Sequence, residues 1–128
     1  MLTNKLFGGA LATTAKALDL RMERQGMIQS NVANMETPGY KVKDFSFAKV
    51  MESVATGQGE LTRTNAKHIA IDPMDVSKAS AFSEEERPVD LDEEMVKLSE
   101  NQLMYQVATK IMTKKFESLR YAIDEGGK

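Results

Sequence analysis

From Leu91 to Ile123, the residues Leu91, Met95, Leu98, Gln102, Tyr105, Thr109, Met112, Phe116, Leu119 and Ile123 recur at alternating spacings of four and three without a miss. That period is the signature of one face of an α-helix, sustained here over more than four heptads. Asp90 is a good N-cap, and Glu93 stands where a capping box needs its acidic partner. Asp92, Glu93 and Glu94 fill the first turn, and Lys114, Lys115 and Arg120 lie toward the end, so both placements suit the helix dipole. Gly126-Gly127 closes the segment. A helix over residues 91–124 is about 51 Å long. No compact domain of this size hides such a rod inside itself.

A second, shorter pattern of the same kind opens the chain. Leu11, Ala15, Leu18, Met22, Gln25, Gln29 and Val32 predict a helix over residues 10–35, with Ile28 and Met35 widening its stripe. Lys16, Asp19, Glu23 and Arg24 occupy the other face. The expected fold is mainly α. Residues 10–35 and 89–124 pair as an antiparallel, coiled-coil-like hairpin, and 36–88 form a mostly irregular middle, all within one domain spanning 1–128. The predicted seam is Leu11, Leu18, Met22 and Val32 against Leu91, Met95, Leu98, Tyr105, Met112, Phe116, Leu119 and Ile123. Two helices leave their flanks in water and cannot enclose a core. Met104, Val107, Ile111 and Leu119 form a partial second stripe that suits a neighbouring chain.

Between the helices, Thr37-Pro38-Gly39-Tyr40 reads as a type II turn, with Pro38 setting φ at one corner and Gly39 supplying positive φ at the next. Residues 41–47 read as extended, followed by a short helix near Phe47–Ala55 that carries Phe47, Val50, Met51 and Val54 on one side. Gly57-Gln58-Gly59 ends it. Leu61–Thr64 and Ile69–Ile71 have the β-branched alternation of short strands, residues 73–86 are polar and read as irregular, and Glu84–Glu86 reads as a solvated acidic run.

The chemistry available is narrow. Absence of cysteine removes disulfides, thiolate catalysis and thiolate zinc sites together. His68 is the single histidine, so no imidazole cluster can be built. Asp72 and Asp75 lack the further ligands and the glycine of a calcium loop. Gly8-Gly9 and the 57–59 glycines lack the lysine and the strand-to-helix setting of a phosphate loop. A net charge of −2 with dispersed basic residues gives no drive toward nucleic acid or anionic lipid. No run is long enough to span a bilayer, and Gly8-Gly9 interrupt the apolar stretch that a cleaved signal needs. The expectation is a non-enzymatic protein with no cofactor and no metal. Nine methionines against no tryptophan suit adaptable helix-to-helix surfaces.

Asn31, Ala33, Asn34, Thr37, Pro38, Gly39 and Tyr40 spell N-x-A-N-x-x-T-P-G-Y directly after the first helix. With a heptad helix at the other end, this closely resembles the bacterial flagellar axial proteins, the rod, hook and hook-associated subunits. Lys41–Phe47 resembles the Y-K-x-x-D-x-x-F continuation of the short proximal-rod branch. Val89–Met95 and Glu100–Tyr105 resemble its V-D-L-x-x-E-M and E-N-Q-x-x-Y. Ser30 stands where asparagine is common, and Glu86-Arg87-Pro88 replaces a Gly/Asn-rich approach.

The resemblance implies a structural subunit of the rod, a helical tube that crosses the periplasm and carries torque from rotor to hook. It implies export in unfolded form through the flagellar type III apparatus, with Phe47 and Met51 matching a hydrophobic motif read by the export gate. It implies as partners copies of itself, other rod proteins, the adaptor that joins the rod to the MS ring, and the gate, with no lipid anchoring. Asn31 and Asn34 are expected to hydrogen-bond near the helix end, where carbonyls lose their partners. The competing reading is a cytoplasmic coiled-coil chaperone or adaptor of a secretion system.

Overall fold

In the computed structural model, residues 2–56 and 81–127 are described, with side chains from Gly8 onward. Helix α1 runs Leu2–Ala33, strand β1 Val42–Phe45, helix α2 Phe47–Thr56, strand β2 Phe82–Glu85 and helix α3 Leu91–Gly126. The expected mainly α fold, with long terminal helices packed on each other, is what forms. Bonds from Arg21 to Asn101 and from Asn31 to Glu94 show that the two helices run antiparallel.

Helix α1 starts earlier than expected, because Gly8-Gly9 do not break it. Each interior glycine costs about 1 kcal/mol against alanine, which a long helix absorbs where a proline would not be tolerated. The hydroxyls of Thr13 and Thr14 donate back to the carbonyls of Gly9 and Ala10, each at 2.8 Å. At the other end, Gly39 takes φ +75° and Tyr40 N–H donates to Thr37 O at 3.2 Å, the geometry of the type II turn.

The turn delivers β1 alongside α1, and α2 follows after one residue. Strand β2 pairs antiparallel with β1, Val42 opposite Glu85 and Phe45 opposite Phe82. Within residues 73–86, read as irregular, Phe82–Glu85 is instead a strand, while residues 73–80 lie outside the described residues. Phe-Ser-Glu-Glu has no strand alternation of its own, and β1 supplies the edge that organises it. Lys41–Glu86 at 2.9 Å and Lys43–Glu84 at 3.8 Å accompany the pairing. The strand-like segments 61–64 and 69–71, the glycines at 57 and 59, His68, Asp72 and Asp75 lie outside the described residues.

The apolar core is small and sits at this end. Leu20, Phe45 and Val50 are buried together, with Met27, Phe47, Met51, Val54 and Ala81 packed around them. Asp90 caps α3, accepting from the N–H groups of Asp92 and Glu93. Glu93 was expected to reach back to that cap; its Oε1 instead meets Arg87 at 2.9 Å and Lys97 at 2.7 Å. No helix among the described residues is long and apolar enough to cross a membrane.

Candidate functional site

The buried line of each long helix is a heptad seam shifted by one residue at every second step from the apolar reading. On α3 that line is Glu94, Leu98, Asn101, Tyr105, Ala108, Met112, Lys115 and Leu119, with Glu93 and Lys97 half-buried beside it. On α1 they include Leu11, Thr14, Leu18, Arg21, Gln25, Ile28 and Val32. Leu98, Tyr105, Met112 and Leu119 thus stay on the seam, as do Leu11, Leu18 and Val32. Met22, Leu91, Met95, Phe116 and Ile123 do not; they are exposed. The seam takes Arg21 and Glu94 in place of Met22 and Met95, and Asn101 in place of Gln102, because those polar groups find partners inside, whereas a methionine can remain in water at little cost.

Asn31 is the centre of the polar arrangement. Its Nδ2 donates to Lys43 O at 2.7 Å and to Glu94 Oε2 at 3.0 Å. Its Oδ1 accepts from Tyr40 OH at 2.9 Å and from Lys43 N–H at 3.0 Å. One fully buried amide therefore ties α1 to the turn, to β1 and to α3. The helix-end role expected of both asparagines belongs to Asn34 alone, whose Nδ2 donates to Ser30 O at 2.8 Å while Oδ1 accepts from the Thr37 hydroxyl at 3.3 Å. Pro38 and Gly39 shape the turn that brings Tyr40 into reach, and Ala33 is the exposed last residue of α1.

Charge surrounds this amide in layers. Glu94, 1% exposed, accepts from Lys97 Nζ at 3.1 Å through its second oxygen. Arg24 holds Asp44 bidentately at 3.0 and 3.1 Å, and Lys97 lies 3.6 Å from the same carboxylate. Burial pushes the Asp44 carboxyl upward, but the Arg24 hydrogen bond and charge, the Phe45 N–H and Lys97 outweigh it and hold it below the usual carboxylate range. Burial likewise pushes Lys97 downward, and its bonds to Glu93 and Glu94 more than compensate, raising it. Farther along, Asn101 Nδ2 donates to Arg21 O at 2.8 Å and Arg21 Nη1 returns a bond to Asn101 Oδ1 at 3.3 Å. The Arg21 guanidinium also stacks 3.7 Å from the centre of the Phe47 ring. Among the described residues, no buried side-chain nitrogen or oxygen lacks a partner.

Arg21, Arg24, Asp44, Glu94, Lys97 and Asn101 are the members that the sequence reading missed. The usable signal was positional, since Arg21, Glu94 and Asn101 each stand one step from a residue of the predicted stripe, Met22, Met95 and Gln102. Phe47 and Met51, matched above to an export motif, are half-buried in the folded chain, Phe47 under Arg21 and Met51 against the core. Groups of acidic and histidine side chains able to hold a metal ion are absent among the described residues.

Such an arrangement orients elements relative to one another. Its outward counterpart is the far side of α3, where Val96, Leu103, Met104, Val107 and Ile111 are exposed. No protein-family model matches the chain. Curated relatives do. The flagellar basal body rod protein FlgB of Bacillus subtilis (strain 168) is 31% identical over 127 residues, covering 94% of this chain and 98% of that one. FlgB of Yersinia enterocolitica is 32% identical over 133 residues, covering 92% and 96%. FlgB of Escherichia coli (strain K12) is 28% identical over 130 residues, covering 91% and 94%.

Proposed function

The chain belongs to the FlgB family of flagellar basal body rod proteins, and from that premise we propose that it is a proximal-rod subunit that joins a torque-bearing helical tube. It is a structural subunit of the basal body rod and assembles with other rod and basal body components. The finer reading rests on one observation. Among the described residues, helix α3 buries one narrow seam against α1 and leaves Val96, Leu103, Met104, Val107 and Ile111 exposed around Glu100 on its far side. Copies of itself, the other rod proteins and the adaptor to the MS ring are the neighbours proposed to cover it.

Passage through the flagellar type III apparatus in unfolded form fits the small core. Little apolar burial opposes unfolding, and stability comes with neighbours on assembly. The proposed gate motif, Phe47 and Met51, is half-buried in the folded chain, so the gate would read it before folding. Deleting the gene is expected to abolish hook and filament assembly, and restoring it to rescue both. Intact hooks in the deletion strain would refute the reading and favour a cytoplasmic chaperone or adaptor, which would purify as a well-folded dimer.

A further inference from the structure

The fully buried side chains of α3 are both polar, Glu94 and Asn101. The apolar members of its seam, Leu98, Tyr105, Met112 and Leu119, are only half-buried and repeat every seven residues. That repetition makes the apolar seam degenerate. If α3 slides one heptad past α1, by about 10 Å, apolar residues again stand where apolar residues stood. A slide toward the turn puts Tyr105 in the place of Leu98 and Met112 in that of Tyr105. A slide the other way puts Leu91 and Leu98 in those two places. Thin, half-buried packing discriminates weakly among the three registers.

The polar residues discriminate strongly. A slide toward the turn replaces Glu94 by Asn101, Lys97 by Met104 and Asn101 by Ala108. Arg21 then loses the amide that pairs with its guanidinium and its carbonyl, and Asp44 loses the Lys97 ammonium at 3.6 Å. The opposite slide pairs Glu94 with Arg21, but it sets Asp90 in the place of Lys97, against the Asp44 carboxylate, and strips Glu94 from the buried Asn31 amide. Either way a polar group at the seam loses its partner or like charges meet. We propose that Glu94, Lys97 and Asn101 set the register of the helix pair, choosing one of several heptad-spaced alternatives that the apolar seam leaves open. Strand β2 ends five residues before α3, but it is an exposed strand of a two-stranded sheet and a weak tether. The register fixes where the exposed far side of α3 stands relative to β1 and the turn, and so the levels at which a neighbouring chain meets them.

The chain has no cysteine of its own, so Gln29→Cys and Lys110→Cys, both at exposed positions, carry spin labels on α1 and α3. The pairing of Asn31 with Glu94 and of Arg21 with Asn101 places the two labels at well-separated levels along the axis, so a slide changes their distance directly. Distances are read by dipolar spin-echo spectroscopy in the full-length chain, diluted into unlabelled chain to suppress pairs between molecules. The parent is expected to give one distance. The triple variant Glu94→Leu, Lys97→Leu, Asn101→Leu puts good helix formers at all three positions. It is expected to keep the parent's helical circular dichroism and to show a second distance, shifted by about 10 Å. Met112→Ala thins the apolar seam instead, and is expected to lower Tm while keeping the single distance. A single parental distance in the triple variant overturns the proposal and leaves the register to β2 and the apolar side chains. Loss of its helical signal also overturns it, because the polar groups would then hold the helices together rather than choose their register. Two distances in the parent or in Met112→Ala overturn it as well, since the polar residues would not suffice to hold one register.

Discussion

The two ends of the helix pair are held by different physics. Near the turn, α1 and α3 meet through Asn31, Glu94, Arg21 and Asn101, with β1, β2 and α2 packed alongside. Toward the chain termini the half-buried side chains among the described residues are Ala10, Leu11, Thr14, Lys16, Ala17 and Leu18 on one helix and Ala108, Met112, Lys115 and Leu119 on the other. Hydrogen bonds to buried groups demand one geometry, so the head end has a single arrangement. Thin apolar contact tolerates sliding and bending. Polar groups placed unevenly along one seam thus fix the geometry of one end of a helix pair more strictly than that of the other.

The most severe break of this contrast is Asn31→Leu. It takes the amide partner away from Glu94 Oε2, from the Tyr40 hydroxyl and from the backbone N–H and C=O of Lys43. A loss of about 3 kcal/mol in urea unfolding is expected. A loss below about 1 kcal/mol would show that the head is held by its apolar core alone. Asp44→Asn follows, removing the anion from Arg24 and Lys97. Because the pair is partly solvated, with side chains 18% and 19% exposed, the expected cost is about 2 kcal/mol, less than for a fully buried pair.

The same groups set a pH dependence for the head. Asp44 and Glu93 lie below their ordinary values when folded, Asp44 for the reasons above and Glu93 through Lys97 and Arg87. Their contribution is therefore complete above the unfolded carboxylate range, about pH 4, and is lost as pH falls through the lower folded values. Lys97 is raised when folded, so its contribution is complete below about pH 10 and is lost as pH climbs through its folded value. Protection factors of the amides of residues 24–31, with the intrinsic pH dependence of exchange divided out, should therefore fall at both extremes, and protection factors unchanged with pH would count against the charged layer.

Gly39→Val tests the turn without touching the packing. A Cβ at Gly39 meets nothing within 4 Å, so the cost is backbone strain alone, about 1–3 kcal/mol. An unchanged Tm would argue against the positive φ. The mildest change, Ile111→Ser on the outer stripe, is expected to alter monomer stability by no more than about 0.5 kcal/mol. For the distal helices, amide exchange in residues 10–18 and 105–119 is expected to run at least about tenfold faster than in 24–31 and 94–101 of the dilute chain. Equal protection along both helices would erase the contrast between the two ends.

Much of this was legible in the residues. Spacing marked both long helices, Pro38-Gly39 marked the turn, and Asp90 marked the start of α3. Residues 42–45 and 47–56 were readable as extended and then helical. The phase of the seam was not, because an apolar count prefers Met22, Met95 and Phe116 to Arg21, Glu94 and Lys115. Strand β2 was not either, since Phe82–Glu85 acquires its conformation from a partner about forty residues away in the chain.

Local chemistry thus determined where the chain is helical and where it must turn, because period and φ preference act within a few residues. The tertiary structure decided which face of each helix is inside and what Asn31 is for. A buried amide or carboxylate is stable only when its partners arrive from elsewhere, and three of those at Asn31 come from the turn, β1 and α3. No reading along the chain can supply that convergence, because it exists only once the elements have packed.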